Sequence, residues 1–418
     1  MISRLKKLLS NVGPALTDQV MVSGTNFVVG LSLAKLLGLE IFGQFSLIWL
    51  ILLLALDLQR AIIIVPAFTF GPKTDLESDY WHDLISADTI LTLFLAIIGG
   101  AIVCLSGHLF PSWHISGYYI PFAVLVVSRL YHEFYRRLFF VRHTPHKALI
   151  IDFISIVGLI LGLIGLWWYK ELNLQSILWL HAMSYVFSVT VALFMTRHLR
   201  IAGFHPLSLL VRHWPVGKWM LGTVLSQYIT NNILIFSGAA ILGPAAVGVI
   251  RIIQYLYGPV HILFMTADNI IPIHSAKELA EKGLAAFRTY MKQSSVFLSG
   301  ATILYVLAIT LLSPFITPFL IDETIDHMIW YVIGYGLSYT LVSVTVSQMF
   351  ALRTLEFTRP IFVAYCITAL VNMLIAYPLV EIYSIFGIIA GLILARIISI
   401  AWFGRSLTHK IRELFPTA

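Results

Sequence analysis

About twelve apolar stretches, each near the roughly twenty residues a helix needs to cross a bilayer, follow one another along this 418-residue chain. They run near Ala15–Leu37, Phe42–Pro66, Leu84–Phe110, Gly117–Val141, Ala148–Trp168, Leu174–Thr196, Pro215–Leu242, Ala246–Pro272, Tyr290–Ser313, Ile325–Leu352, Phe357–Val380 and Tyr383–Gly404. Water would not hold such a chain as a monomer. Only 11% of its residues are charged and 59% are hydrophobic, with a mean hydropathy of +0.89. A soluble domain carries about a quarter charged residues. In a bilayer the backbone must satisfy itself, which helices do within one segment. A β-barrel would show alternating segments of about ten residues, and the sequence has none. The expected fold is therefore all-α and membrane-embedded. Cys104 and Cys366 sit inside apolar runs and are expected to be small buried hydrophobes. No disulfide framework and no metal-ligand spacing is present.

A short stretch recurs at half the chain length. Leu36–Phe45, L-L-G-L-E-I-F-G-Q-F, returns about 205 residues later as Ile241–Ile250, I-L-G-P-A-A-V-G-V-I. Gly38 falls on Gly243, Gly43 on Gly248 and, in the preceding segment, Asn26 on Asn231; both copies end near a proline, Pro66 and Pro272. Such a period indicates duplication, here of two similar membrane-embedded halves.

Lys and Arg alternate with the spans. One set of loops holds nearly all of them: the N-terminus (Arg4, Lys6, Lys7), Lys73, Arg136–Lys147, Arg197–Lys218, Lys277–Lys292, Arg353–Arg359 and the tail from Arg405. The opposite loops hold Lys170 and mostly acids, among them Glu40, Glu171, Asp322, Glu323, Asp326 and Glu381. The positive-inside rule then places both termini in the cytoplasm. The first span is too long and too polar for a cleaved signal peptide. The expected divisions are a first bundle over 1–197, a cytoplasmic connection over 198–214, a second bundle over 215–404 and a basic tail over 405–418. The polar connection Ala276–Tyr290 is expected to form a short surface helix. The net charge of +7 follows from this loop asymmetry rather than from a nucleic-acid surface.

A charge at mid-bilayer costs at least about 2.5–3.5 kcal/mol, so each one needs a partner or a watery cavity. Asp57 and Arg60 share a face of the second span, as do Arg129, His132, Glu133 and Arg136 on the fourth. Asp88 lies on the third span, Asp18 on the first and Asp152 at the start of the fifth. Two accounts stand. The charges form an internal network, Arg60 with Asp88 and Arg129 with Asp57, that holds helices together; or they line a hydrophilic cavity that binds substrate or carries protons. The second half holds fewer: Arg251, Arg396 and Asp268, beside the neutral polar run Ser226–Asn232. Arg60, Arg129, Arg251 and Arg396 are the candidate substrate-binding residues, forming a cationic lining suited to phosphate because a guanidinium pairs bidentately with it. Asp57, Asp88 and Glu133 are the candidate coupling or ion-pair residues.

D-Q-V-M-V-S-G-T-N-F at Asp18–Phe27, A-K-L-L-G-L-E-I-F-G-Q-F at Ala34–Phe45 and L-Q-R-A-I-I-I-V-P-A-F at Leu58–Phe68 resemble the opening of bacterial polysaccharide flippases. These are the Wzx-like members of the multidrug/oligosaccharidyl-lipid/polysaccharide (MOP) exporter superfamily. The resemblance is strongest over the first 70 residues. It implies two pseudo-symmetric six-helix bundles around a central cavity, in the bacterial inner membrane. It implies no enzymatic activity and no cofactor, but coupling to a proton or sodium gradient. The implied activity moves an undecaprenyl-diphosphate-linked oligosaccharide to the periplasmic leaflet, for O-antigen or exopolysaccharide assembly, by alternating access. The implied partners are that lipid-linked oligosaccharide, membrane lipids, and a polysaccharide polymerase with its chain-length machinery. In this scheme the diphosphate pairs with Arg60 and Arg129, while Asp57 or Glu133 exchanges a proton. A cation-coupled multidrug exporter of the same superfamily is the alternative. A membrane glycosyltransferase would need a long extramembrane loop, and no loop here is long enough.

Overall fold

The computed structural model describes residues 24–25, 27–75, 79–196, 205–321 and 324–415. Asp18, Asn26, Asp322, Glu323, the basic N-terminus and 197–204 of the connection lie outside them. The described residues are helical and turn-linked, without strands.

They divide into two compact units: unit 1 (Met1–Leu37 and Gln44–Val224) and unit 2 (Gly38–Gly43 and Leu225–Ala418). Unit 1 contains α1 (Phe27–Leu37) and most of α2 (Leu39–Gln59), which runs through a π turn at Arg60–Ile64 into α3 (Val65–Phe70). It continues with α4 (Tyr80–Leu109), α5 (Tyr119–Val141), α6 (Pro145–Trp168), α7 (Leu174–Met195) and the start of α8 (Pro206–Leu242). Unit 2 holds the rest of α8, α9 (Pro244–Leu256), α10 (Gly258–Leu320), α11 (Met328–Thr354) and α12 (Arg359–Leu414).

Two of these helices are each a hairpin of limbs. α10 breaks at Gly283 (φ 80°, ψ −172°) and α12 at Ser384 (φ 53°, ψ −133°). The second break is tight: a Cβ on Gly387 would collide with the carbonyl of Leu379. Split there, α12 supplies the two spans expected near 357–380 and 383–404, and α10 the one near 290–313, whereas the span expected over 246–272 is divided between α9 and the first limb of α10. The segment 276–290 is helical on both sides of Gly283, and Lys277, Glu281 and Lys282 are exposed. α8 differs from expectation. Its helix begins at Pro206 rather than near Pro215 and passes through that proline. A proline inside a helix loses one backbone bond, but burial of Leu209 and His213 anchors the early turns. His213 stacks on Phe70 at 5.6 Å and reaches the Tyr80 hydroxyl at 3.1 Å.

The outer faces show why this fold needs a bilayer. On α4, Ile90, Leu93, Phe94, Ile97 and Leu105 are all exposed, recurring at helical spacing, and α6 exposes Phe153, Leu161, Ile164 and Trp168. Contiguous apolar surface on this scale suits lipid. Cys104 lies on that exposed face of α4, and Cys366 is half-buried; neither is the buried hydrophobe expected from its apolar run. α5 is the opposite case. It packs against α4, α6 and α7 and buries residues all round, including His132, Glu133 and Arg136. His132, Glu133 and Arg136 thus lie on a helix largely covered by its neighbours, while Asp88 on α4 and Asp152 on α6 are buried on the sides of those helices turned away from the exposed apolar residues.

Candidate functional site

In unit 1 the charges converge on one carboxylate. Glu133 is buried on α5, and four guanidiniums surround it: Arg137 at 2.8 Å, Arg60 at 3.2 Å, Arg136 at 3.6 Å and Arg129 at 3.8 Å. Three come from α5 itself at i−4, i+3 and i+4. Arg60 reaches across from the π turn of α2. That turn precedes Pro66, whose ring would crowd the carbonyl of Ile62 in a regular helix, and the wider π turn accommodates it. Arg60 also lies 3.5 Å from Asp57, one turn earlier.

A second carboxylate extends the network. Asp152, on α6, accepts from Arg136 Nε at 2.7 Å and faces His132 Nε2 at 3.2 Å. Arg129 sits 3.0 Å from His132 Nδ1 and 4.9 Å over the Tyr185 ring. Two nitrogens at hydrogen-bonding distance, one of them a guanidinium donor, require His132 Nδ1 to be the acceptor. Asp88 stands apart. It is fully buried, and its Oδ1 accepts from Gln59 Nε2 at 2.8 Å. The same amide nitrogen donates to the Leu130 carbonyl at 3.0 Å. Among the described residues no cationic side chain lies within 4.0 Å of Asp88.

The pairs expected from sequence are thus redistributed. Arg60 pairs with Asp57 and Glu133 rather than Asp88, and Arg129 with Glu133 and His132 rather than Asp57. Sequence depth cannot separate three carboxylates at similar height, because the rotation of each helix about its axis decides which ones meet. Arg137 and Gln59 were missed. Arg137 follows Arg136 at a spacing that also faces Glu133, so helical periodicity alone pointed to it.

Unit 2 holds a cavity of about 440 Å³. Its wall includes Gln227, Asn231 and Asn232 from α8, Gln254 from α9, Asp268 from α10, Tyr335 and Tyr339 from α11, and Arg396 from α12. Arg396 Nη2 donates to Asn231 Oδ1 at 2.9 Å. Arg251 lies just behind the wall: its Nη1 donates to Gln254 Oε1 at 2.6 Å, and Gln254 Nε2 donates on to the Tyr335 hydroxyl at 2.9 Å. Tyr335 and Tyr339 lie within electrostatic reach of both guanidiniums. Tyr339 stacks on Tyr257 at 5.1 Å and on Phe264 at 6.5 Å, giving one side a flat aromatic surface.

The four candidate arginines fall into two kinds. In unit 1 Arg60 and Arg129 both have a carboxylate within 4.0 Å. In unit 2 Arg251 and Arg396 have none among the described residues, only amide oxygens, and Arg251 Nη2 and Arg396 Nε are buried without a partner. The neutral polar run Ser226–Asn232 supplies much of this wall. No cluster of three or more metal-ligating side chains occurs among the described residues.

No protein family and no curated protein sequence matches the chain. Solved structures do. One is the lipid II flippase MurJ in an inward closed conformation, with a TM-score of 0.70 at 14% identity, covering 94% of this chain and 87% of that one. A MATE transporter of Vibrio cholerae, VcmN, matches with a TM-score of 0.66 at 13% identity over 98% of this chain and 97% of that one. An inward-facing multidrug resistance MATE transporter of the MOP superfamily matches at 0.64 and 14% identity over 94% and 96%. These are transporters and a flippase rather than enzymes. The chain is a multi-pass helical membrane protein with the fold of the MOP-superfamily transporters.

Proposed function

We propose that the protein moves an anionic lipid-linked saccharide, in the form of a polyprenyl-diphosphate oligosaccharide, from the inner to the outer leaflet by alternating access. The observation that carries this reading is Arg396, in the wall of the unit 2 cavity, and Arg251, bonded to the wall residue Gln254, neither with a carboxylate within 4.0 Å among the described residues. Both guanidiniums are half-buried and each has one nitrogen buried without a partner, which is costly for a charge with no counter-charge. An anionic ligand removes that cost when it binds. Gln227, Asn231 and Asn232 bring side-chain amides to the wall, a group that can donate to and accept from sugar hydroxyls, and the Tyr339 face suits the C–H side of a sugar ring. The volume falls in the usual range for ligand sites, about 300–1,000 Å³. The resemblance in fold to a lipid II flippase is consistent with a lipid-linked cargo.

In this reading Arg251 and Arg396 meet the diphosphate. Arg60 and Arg129 are engaged by Glu133, so their role is to hold α2 and α5 in register until coupling rearranges them. Asp57, Asp88 and Glu133 are the groups through which a proton or sodium gradient would act. The charge bias of the loops supports cytoplasmic termini and an inner-membrane location. A polymerase and its chain-length machinery would take up the product.

A second reading is a cation-coupled multidrug exporter. The stacked Tyr257, Tyr339 and Phe264 and the carboxylate of Asp268 would suit an aromatic cation, and two of the solved structures named above are MATE transporters. The two separate in cells and in vesicles. Deletion should make lipid-linked repeat units accumulate on the cytoplasmic leaflet. Proteoliposomes should translocate a fluorescent polyprenyl-diphosphate oligosaccharide, and R396Q should abolish it. Drug hypersensitivity without accumulation would overturn the flippase reading in favour of the exporter.

A further inference from the structure

The unit 2 cavity has one carboxylate in its wall, and that carboxylate is occupied. Asp268, on the first limb of α10, accepts from Arg353 Nη1 at 2.6 Å, and Arg353 lies in the last turn of α11. Their side chains are 48% and 42% exposed, so the pair stands at the rim of the cavity rather than in its packed interior. Beside it, the hydroxyls of Ser275 and Thr354 meet at 2.6 Å and tie the same two helices together. Exposed Arg359 opens α12 at this end of the unit. Arg396 is in the wall of this cavity, and Arg353 and Arg251 each hydrogen-bond a wall residue, Asp268 and Gln254. Arg353 is covered by a carboxylate, whereas among the described residues Arg396 and Arg251 have none within 4.0 Å.

We propose that Arg353 is an anion-docking site at the cavity rim, held by Asp268 in the empty protein, and that an incoming diphosphate displaces the Asp268 carboxylate. This rests on the anion-carrying reading of the cavity given above. The exchange is chemically balanced. One anionic oxygen leaves the guanidinium and another arrives, with no proton or bond change. A diphosphate brings more charge than the carboxylate and matches the guanidinium fork equally well. An exposed ion pair is weak, so opening it costs little. Until a multiply charged ligand arrives, the pair keeps the rim neutral, and a singly charged anion gains little by replacing one carboxylate with another anion of equal charge. The free guanidiniums of Arg396 and Arg251 then draw the ligand inward.

The test is a binding cycle on the full-length protein in nanodiscs, titrated separately with inorganic pyrophosphate and with geranylgeranyl diphosphate. D268N should tighten binding about three- to five-fold, the size expected for releasing one exposed ion pair. R353Q should weaken it at least as much, and the D268N/R353Q double variant should bind like R353Q alone. Tighter binding of the prenylated compound assigns the diphosphate to a lipid, and equal affinity assigns it to a soluble diphosphate. Unchanged affinity in both D268N and R353Q, with R396Q still weakened, overturns the docking site and leaves the cavity reading standing. Absence of binding to both the wild type and D268N overturns the two together.

Discussion

Gly43 lies so close to the backbone carbonyl of Pro244 that a Cβ on Gly43 would overlap it. The repeat makes the reciprocal contact: a Cβ on Gly248 would overlap the carbonyl of Leu39. The preceding glycines of the two copies, Gly38 (φ 78°) and Gly243 (φ 86°), both adopt the left-handed conformation that lets the chain turn from one helix into the next. The short stretch Gly38–Gly43 belongs to unit 2, although the chain on either side belongs to unit 1. Each copy of the repeat therefore supplies the other with a glycine-lined seat.

G43A and G248A should each destabilise the protein by about 1–3 kcal/mol, because neither colliding atom is a movable side chain. Thermal unfolding in detergent would read this as a clear fall in melting temperature. Gly300, in a helix with open space around it, is the control: G300A should be neutral or mildly stabilising. Equal behaviour of the three variants would show that the interlock contributes nothing to stability.

Glu133 should be the least replaceable carboxylate of unit 1. E133Q leaves four guanidiniums around a neutral amide, and breaking a buried ion-pair network by removing one partner typically costs about 3–5 kcal/mol. E133Q should express poorly or unfold at markedly lower temperature. Adding R137Q, which removes the 2.8 Å partner, should restore part of the loss. A double-mutant cycle with no coupling between the two positions would refute the network.

Asp88 should behave differently despite equal burial. Its partner is the Gln59 amide, not a cation. D88N keeps the shape, and the new amide oxygen can still accept from Gln59 Nε2. Its melting temperature should match or exceed that of the wild type. If Asp88 serves in coupling, D88N should still fold yet lose gradient-driven transport, measured in proteoliposomes with and without an imposed proton gradient.

Arg396 and Arg251 should be tolerant in stability and sensitive in function. Neither supports a carboxylate, so R396Q and R251Q should fold normally while binding of a diphosphate falls at least about tenfold, the loss expected for a charge-assisted pair worth about 1.5–3 kcal/mol. R396K keeps the charge but not the fork and should fall between wild type and R396Q. The wild-type affinity should weaken with added salt, and the slope should shrink in R396Q.

Cross-helix hydrogen bonds in unit 2 should matter less than their number suggests. Asn372 Nδ2 donates to the Thr230 carbonyl at 2.8 Å, and the Thr230 and Thr368 hydroxyls meet at 3.0 Å. Such bonds in membrane proteins average about 0.6 kcal/mol, so T368V should lower the unfolding free energy by under about 1 kcal/mol.

Much of the architecture was legible without coordinates. Apolar runs of span length placed the helices, because a bilayer leaves the backbone no other way to satisfy its polar groups. The Leu36–Phe45 and Ile241–Ile250 repeat marked two turns whose glycines prove to need both their left-handed backbone and their missing Cβ. Helical spacing placed Arg129, Glu133 and Arg136 on one helix with common neighbours. What spacing could not supply was pairing. Depth in the membrane follows from position along a helix, but which charges touch depends on how each helix is rotated and what packs beside it. Only the tertiary structure decided that Arg60 and Arg129 are neutralised by Glu133 while Arg251 and Arg396 meet only amides, because Arg60 finds its counter-charge on another helix and shares it with Arg129.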